Sequence, residues 1–111
     1  MKITQAIYCC LDYHRMNSNK NTVRNYKPIL TQFDATFPHR ELESITSEEI
    51  LSFLNQMNFS ATHSTKRLRY SLLKAFYNFC KNTFDETIHN PCVTAMLRKM
   101  FRDRRGVPWT F

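Results

Sequence analysis

The residues best suited to chemistry are basic side chains interleaved with hydroxyl groups. Their densest group is the run Thr-His-Ser-Thr-Lys-Arg-Leu-Arg, which spans residues 62–69. Lysine and arginine bind phosphate oxygens as cations, and hydroxyl groups and the free amides of a helix N-terminus donate hydrogen bonds to the same anion. The run therefore predicts contact with a polyanion, and its candidate residues are Thr62, Thr65, Lys66, Arg67 and Arg69. Arg69 has a second interpretation, in which its aliphatic stem covers the core.

A second basic group lies earlier in the chain. Lys20, Thr22, Arg24 and Lys27 occupy positions that an apolar helix face leaves over, and they are candidates for the same polyanion. A hydrated outer face without a partner is the alternative interpretation of these four residues. A third basic cluster, within residues 98–105, is explained by contact with the polyanion's backbone or by a solvated helix end.

The charges are unevenly distributed along the chain. Sixteen Lys and Arg stand against nine Asp and Glu, which gives a net charge of +7. Between Tyr13 and Phe33 there are four basic residues and no acid, and between Ile50 and Phe84 five basic residues and again no acid. Five of the nine acids lie instead within residues 34–49. This segregation predicts one positive face, which suits DNA, RNA or an anionic membrane, whereas a solvated surface without a partner is the alternative.

The composition excludes or disfavours several kinds of site. With one glycine, Gly106, neither a Walker loop nor a dinucleotide-binding loop can be written, and we expect no small-molecule ligand. The four cysteines lack C-x-x-C spacing, so a zinc site would need an unusual arrangement with His14 or His89. No H-E-x-x-H motif is present, and among the histidines His63 alone is a candidate for phosphate contact. We expect no metal, no cofactor and no catalytic residue.

Targeting signals are also missing from the sequence. The first residues contain no apolar segment of signal-peptide length, and no run of about 18 apolar residues occurs. We therefore expect a reduced, cytoplasmic protein without membrane contact. The five tyrosines stand at helical spacing among apolar residues, and we predict that they are packing groups with a polar tip: Tyr8, Tyr13, Tyr26, Tyr70 and Tyr77.

The apolar pattern predicts an all-α fold, an orthogonal bundle of four to five helices in one domain. The first helix runs from Ile3 to about Met16, and the second from Asn21 or Thr22 to Phe37, with a kink at Pro28. Their predicted inner faces are Ile3, Ile7, Cys10, Leu11 and His14 in the first helix, and Val23, Tyr26, Ile29, Leu30, Phe33 and Phe37 in the second.

The third and fourth helices have clear starting signals. Thr46 and Glu49 form a capping box, Ile45 and Ile50 a hydrophobic staple, and the third helix that they begin ends near Asn58. The fourth helix starts between Ser60 and Ser64, ends near Thr83, and must be central because more than half its girth is apolar. Its predicted core residues are Leu68, Leu72, Leu73, Phe76, Tyr77, Phe79 and Cys80.

The last helix is predicted from an Asn-Pro pair. Asn90 is expected to cap it and Pro91 to take its first position. Its predicted inner residues are Val93, Leu97, Met100 and Phe101. The helical domain is then expected to span residues 1–103, and residues 104–111 to begin a linker to a further domain.

Four motifs in order resemble the N-terminal core-binding domain of tyrosine recombinases, the phage-integrase family. They are T-x-x-x-Y-x-x-x-L-x-x-F from Thr22 to Phe33, L-x-x-I-T-x-x-x-I-x-x-F-L from Leu42 to Leu54, Thr65 with L-K-A-F-Y-N-F from Leu73 to Phe79, and I-H-N-P from Ile88 to Pro91. The similarity covers residues 3–101. Two residues depart from the family pattern: Glu49 stands where many members have Asp, and Pro28 falls in a helix that the family keeps regular.

The resemblance implies a SAM-like bundle whose second and fourth helices lie against the major groove of double-stranded DNA. It also implies that a separate C-terminal catalytic domain cleaves DNA through a tyrosine, so no strand exchange is expected from this domain alone, and none of its tyrosines is expected to be the nucleophile. Other recombinase subunits are further expected partners, and a mobile element or a bacterium is the expected host.

Two other functions fit the sequence. The first is a helical protein-interaction or oligomerisation module, which would use the apolar first or fifth helix and no DNA. The second is a self-contained transcription factor, which is disfavoured because no short glycine-containing turn joins two helices in helix-turn-helix fashion.

Overall fold

Five α-helices make up the fold in the computed structural model, which describes residues 1–17, 20–57 and 59–101. They are α1 (Ile3–Asn17), α2 (Lys20–Thr36), α3 (Ser47–Met57), α4 (His63–Thr83) and α5 (Ala95–Met100), with a 3-10 turn at Leu42–Ser44. The described ranges contain no strand, only an isolated bridge between Lys2 and Glu41. The all-α prediction is confirmed. The predicted linker, residues 104–111, lies outside the described residues.

The first two helices pack against each other and against α4 through the faces that their apolar spacing predicts. The buried residues on these faces are Ile3, Ala6, Ile7, Cys10 and Leu11 of α1, and Tyr26, Ile29, Leu30 and Phe33 of α2. At one end of the pair, the Thr4 hydroxyl donates to a carboxylate oxygen of Asp34 at 2.7 Å. Pro28 lies on the exposed side of α2, and the helix continues through it.

Phe33 occupies the centre of the core. Its ring centroid lies 5.2 Å from that of Phe53 on α3, and 6.5 Å and 6.4 Å from those of Phe76 and Tyr77 on α4. All four rings are buried, and the contacts with Phe53, Phe76 and Tyr77 have the edge-on geometry that aromatic quadrupoles favour. Phe33 therefore joins three helices at one point.

Two buried tyrosines of α4 hold the non-helical links in place. The Tyr77 hydroxyl donates to the carbonyl of Leu42 at 3.1 Å, and the Tyr70 hydroxyl donates to the carbonyl of Cys92 at 2.7 Å. Burial raises the pKa of both phenols, so each stays protonated and keeps its donor. These bonds fasten the link before α3 and the link before α5 to the central helix.

The predicted capping box at the start of α3 is confirmed. The amide of Glu49 donates to the Thr46 hydroxyl at 3.2 Å, and the Glu49 carboxylate accepts from the amide of Thr46 at 3.1 Å. Ile45 and Ile50 are both buried, as a hydrophobic staple requires. Arg40 adds a contact that the pattern did not predict, because its guanidinium donates to both carboxylate oxygens of Glu49, at 2.8 and 3.0 Å.

The predicted start of the last helix is wrong. α5 begins at Ala95, and Thr94 caps it by accepting from the amide of Leu97 at 3.3 Å. Asn90 is instead a buried side chain that joins the link to α4. Its side-chain nitrogen donates to the Lys74 carbonyl and to Asn78 Oδ1, and its side-chain oxygen accepts from the backbone amide of Cys92. The Asn-Pro pair therefore fixes the link against α4, and the helix starts one turn later.

Several predicted core positions are also wrong. Val93 and Met100 are 41% and 46% exposed, because the later start of α5 turns only Leu97 and Phe101 inward. Leu68 is 47% exposed, since it lies on the outward side of α4. Of the five tyrosines predicted to pack, Tyr8 is 67% exposed, whereas Tyr13, although 49% exposed, has its ring 5.3 Å from that of Phe79.

We predict that Asn90→Ala lowers the free energy of unfolding by about 1–3 kcal/mol, because it leaves the buried amide of Cys92 without its acceptor. Urea denaturation followed by circular dichroism measures the change. Asn82→Ala, an exposed position on α4, is the matched control and should change stability by less than about 0.5 kcal/mol. Equal stabilities of the two variants would contradict the conclusion that Asn90 holds the link before α5 against α4.

The Arg40–Glu49 pair should make the stability of the fold depend on pH. The hydrogen bond from Arg40 lowers the pKa of Glu49 from its ordinary value of 4.5. The stabilisation is therefore fully present above pH 4.5 and is lost as the pH falls through the lower, folded-state pKa. We expect Glu49→Gln to be less stable than the native chain at pH 7, and the difference to shrink in acid. Glu48→Gln is the control, and a difference that persists unchanged at low pH would contradict the charge-pair explanation.

Candidate nucleic-acid interface

The basic run at the start of α4 is built on a capped helix end. Thr62 is the N-cap: its hydroxyl accepts from the amide of Thr65 at 3.3 Å and lies 3.1 Å from the Thr65 hydroxyl. The two threonines therefore order the first turn of α4, and they hold Lys66 and Arg67 on a fixed backbone. Thr62 is exposed and Thr65 half-buried, so the Thr62 hydroxyl remains accessible to solvent.

Lys66 lies on the same side of α4 as the buried core residues, but one turn before the first of them. Lys66, Tyr70, Leu73 and Tyr77 follow one another at intervals of four, three and four residues, which places them on one side of the helix. Tyr70, Leu73 and Tyr77 are buried, whereas Lys66, one turn earlier, is half-buried. Among the described residues, no carboxylate forms an ion pair with Lys66.

Arg69 has a structural role in this arrangement. Its guanidinium donates to the carbonyl of Met57, the last residue of α3, at 2.8 Å in a partly buried contact. The bond satisfies one of the carbonyls that the end of a helix leaves without an intrahelical partner. Arg69 thus ties the end of α3 to the start of α4.

The second basic group lies on the outward side of α2. Lys20, Arg24 and Lys27 are exposed and recur at intervals of four and three residues, so they form one stripe, while Thr22 is half-buried. Lys27 also lines a groove of about 620 Å³ between α1 and α2, together with Arg15, Asp12 and Asp34.

The two basic groups lie at separate ends of the α2–α4 contact. The Phe76 ring meets Phe33, whereas His14 bridges Phe79, later in α4, to Tyr26, earlier in α2. The helices therefore do not run parallel. At 1.5 Å per residue, Lys20 lies about 20 Å along α2 from Phe33, and Lys66 about 15 Å along α4 from Phe76. The structure brings together the members of each group, but it does not bring the two groups into one cluster.

Three of the five acids in the acidic segment, residues 34–49, have cations of their own as partners. The amino group of Met1 lies 2.7 Å from Glu41 and 3.1 Å from Glu43, and Arg40 pairs with Glu49. These contacts lower the pKa of Glu41 and Glu49, which therefore stay ionised and occupied. Within the described ranges, Lys20, Arg24 and Lys66 form no ion pair with a carboxylate.

One basic residue that the sequence analysis did not select is Lys74. Its ammonium lies above the ring of Tyr70, 5.5 Å from the centroid. Arg67, Lys74 and Lys81 are spaced seven residues apart, so they lie along one flank of α4. That spacing was present in the sequence and could have identified the flank.

In the part of the chain that the structure describes, no three His, Cys, Asp or Glu side chains group as a metal site requires. Burial raises the pKa of Cys10, Cys80 and Cys92 to about 12, so these buried thiols are protonated at neutral pH. His14 stacks on Tyr26 at 5.0 Å, and burial lowers its pKa, as expected for a packed, neutral ring.

The helices were also compared with what a membrane-spanning segment requires. None of the helices in residues 1–17, 20–57 and 59–101 combines the length and the apolar character that a bilayer crossing demands.

Comparison of the chain with known protein families shows which family it belongs to. Residues 12–83 match the family described as phage integrase, N-terminal SAM-like domain. The chain belongs to this family. The matched range extends from the second half of α1 to the end of α4, and it contains every predicted contact residue of α2 and α4. Comparisons with curated proteins and with solved structures found no match.

The match confirms the resemblance and the SAM-like, all-α fold of this integrase-family domain. Contact of Lys20, Thr22, Arg24, Lys27, Thr62, Thr65, Lys66, Arg67 and Arg69 with DNA stays a prediction.

We predict that Arg69→Gln lowers the free energy of unfolding by about 1.5 kcal/mol, because a charged donor is lost from the carbonyl of Met57. Lys81→Gln removes the same charge from an exposed position of α4 and should change stability by less than about 0.5 kcal/mol. Urea denaturation separates the two variants. If Arg69→Gln were as stable as the control, the bond to α3 would not be a stabilising contact.

Proposed function

We propose that this integrase-family domain binds duplex DNA for a site-specific tyrosine recombinase, in which a separate catalytic domain cleaves the strands. The observation that carries the proposal is the start of α4, where a capped helix end presents Lys66 and Arg67 and the nearby sequence, from Ile50 to Phe84, contains no acid. The family of the chain supplies the recombination context.

The start of α4 can bind phosphate in three ways. The ammonium of Lys66 and the guanidinium of Arg67 supply charge, and the Arg67 fork can bind two phosphate oxygens. The N-terminus of α4 adds the positive end of its dipole, and the exposed hydroxyls of Thr62 and Ser64 are further donors. Because these contacts go to phosphate, affinity should be strong at low ionic strength and should fall steeply with salt.

The separation of the two basic groups suits a duplex better than a compact anion. A single phosphate could not reach both Lys20 on α2 and Lys66 on α4, given the distances along the two helices. The major groove is about 12 Å wide and has a phosphate backbone on either side. We propose that α2 and α4 lie against the groove, with Lys20 and Arg24 contacting phosphates at one point of the duplex and Lys66 and Arg67 contacting phosphates at another.

The proposed division of labour leaves catalysis to another domain. Tyr70 and Tyr77 are buried and donate their hydroxyls to backbone carbonyls, and burial raises the pKa of Tyr26 to about 12. A nucleophilic tyrosine needs an accessible hydroxyl and a group that accepts its proton, so these three are poorly suited. We propose that the parent protein is a DNA-strand-exchange enzyme of a mobile element. The free thiols of Cys9, Cys10, Cys80 and Cys92 fit a reducing cytoplasm, where we place it.

A second candidate function is docking to another protein, including another recombinase subunit. The observation in its favour is on α5 and the link before it, where Val93, Met96 and Met100 are all between 41% and 46% exposed. Exposed apolar side chains that lie close together are typical of protein interfaces. This function and DNA binding use different residues, so they can be separated by mutation.

We predict that the double variant Lys66→Glu and Arg67→Glu loses DNA binding at least tenfold, because two attractive phosphate contacts become repulsive. Fluorescence anisotropy with a labelled duplex, measured from low to physiological salt, gives the affinity and its salt dependence. Lys2→Glu with Arg15→Glu is the matched control, since Lys2 and Arg15 already pair with Glu41 and Asp12.

Sedimentation and anisotropy of these variants, together with Met96→Ser with Met100→Ser on the exposed apolar surface of α5, test the second candidate. Loss of DNA binding with unchanged self-association supports the proposed function. Loss of self-association with unchanged DNA binding supports the docking module instead. If the native chain showed no salt-sensitive binding to duplex DNA at low ionic strength, the proposed function would be wrong.

A further inference from the structure

A second cluster of positive charge lies where α4 meets α5. The ring of Tyr70 stacks on that of Phe101, with centroids 5.1 Å apart and planes inclined by 15°. The ammonium of Lys74 lies over the same Tyr70 ring at 5.5 Å. A cation over an aromatic face is attracted by the ring's negative charge density, so Lys74 is held in one place although it belongs to a flexible residue type.

The Tyr70 ring is itself fixed. Its hydroxyl donates to the carbonyl of Cys92 at 2.7 Å in a buried hydrogen bond, and its opposite partner, Phe101, is buried at the end of α5. The Lys74 ammonium therefore rests on a rigid support that α4, the link before α5 and α5 build together.

Arg98 brings a second charge to the same support. It is exposed on α5, one turn before Phe101. Residues three apart at a helix end lie on the same side, so Arg98 lies on the side of α5 that Phe101 presents to the Tyr70 ring. Lys74, over Tyr70, and Arg98, one turn before Phe101, are thus two cations beside the same pair of stacked rings.

No described carboxylate balances these two cations. The ion pairs among the described residues involve Met1, Lys2, Arg15 and Arg40, and the described acids nearest in sequence, Asp85 and Glu86, follow the far end of α4. Two like charges near each other repel, and a bound anion relieves that repulsion. A site of this kind favours an anion that can reach both cations.

The flank of α4 shows which anion fits. Arg67 and Lys74 are seven residues apart on the same side of the helix, about 10 Å along its axis. We propose that Lys74 and Arg98 form a phosphate-contacting site at the α4–α5 junction, which takes two neighbouring backbone phosphates of the duplex that the start of α4 binds, one at each cation. The inference rests on the proposed function and extends its contact surface to α5, beyond the residues matched by the family.

The salt dependence of DNA binding tests this site in the whole chain. The variant Lys74→Gln with Arg98→Gln should bind a labelled duplex more weakly, and its slope of log affinity against log salt should be shallower by about 1.8, that is 0.9 for each of two phosphates. Lys2→Gln with Arg15→Gln removes the same net charge from paired positions and should leave the slope unchanged.

A single variant keeps the test valid if removal of Lys74 disturbs the Tyr70 packing. Arg98→Gln changes an exposed residue, should keep the native melting temperature, and should reduce the slope by about 0.9. If both variants keep the native slope while Lys66→Glu with Arg67→Glu still weakens binding, the α4–α5 site is refuted and the proposed function stands. If the native chain does not bind duplex DNA, both fail.

Discussion

The packing of Phe33 against Phe53, Phe76 and Tyr77 is the contact on which the rest of the structure depends. It joins α2, α3 and α4 at one buried point, and these three helices supply both basic groups and the acidic segment. Since both α2 and α4 extend past this point, the packing fixes Lys20 and Lys66 at separate ends of their contact. The core therefore determines how far apart the two groups of phosphate-binding residues stand.

The distribution of charge follows the same architecture. The acids between residues 34 and 49 lie beside the N-terminus of the chain, where Met1, Lys2 and Arg40 pair with them. These pairs close the turn before α3 and neutralise three of the five acids between residues 34 and 49. Lys20, Arg24 and Lys66 form no such pair with a described carboxylate. The segregation of charge along the sequence thus becomes a difference in pairing, because most of these acids have a cation beside them whereas these three cations have no carboxylate beside them among the described residues.

The sequence predicts features that depend on neighbours along the chain and misses those set by distant contacts. The capping box of Thr46 and Glu49 is local, and so is the apolar periodicity of α2 and α4, and both are confirmed. The start of α5 was wrong because Asn90 bonds to Lys74 and Asn78, 16 and 12 residues away, which no local capping rule includes. Leu68 was wrong because an apolar residue near a helix end can face outward without leaving the helical pattern. The basic residues of the site could be identified from the sequence. Their separation into two groups and the contact of Lys74 with the Tyr70 ring could be seen only in the folded structure.

The measurement that tests the central claim most directly is a titration of the isotopically labelled chain with duplex DNA, followed by backbone amide chemical shifts. The account predicts the largest changes in the first turns of α2 and α4, around Lys20, Arg24, Lys66 and Arg67, with the acidic segment and α3 nearly unchanged. Changes confined to the exposed apolar residues of α1 and α5, or no changes at low salt, would contradict it.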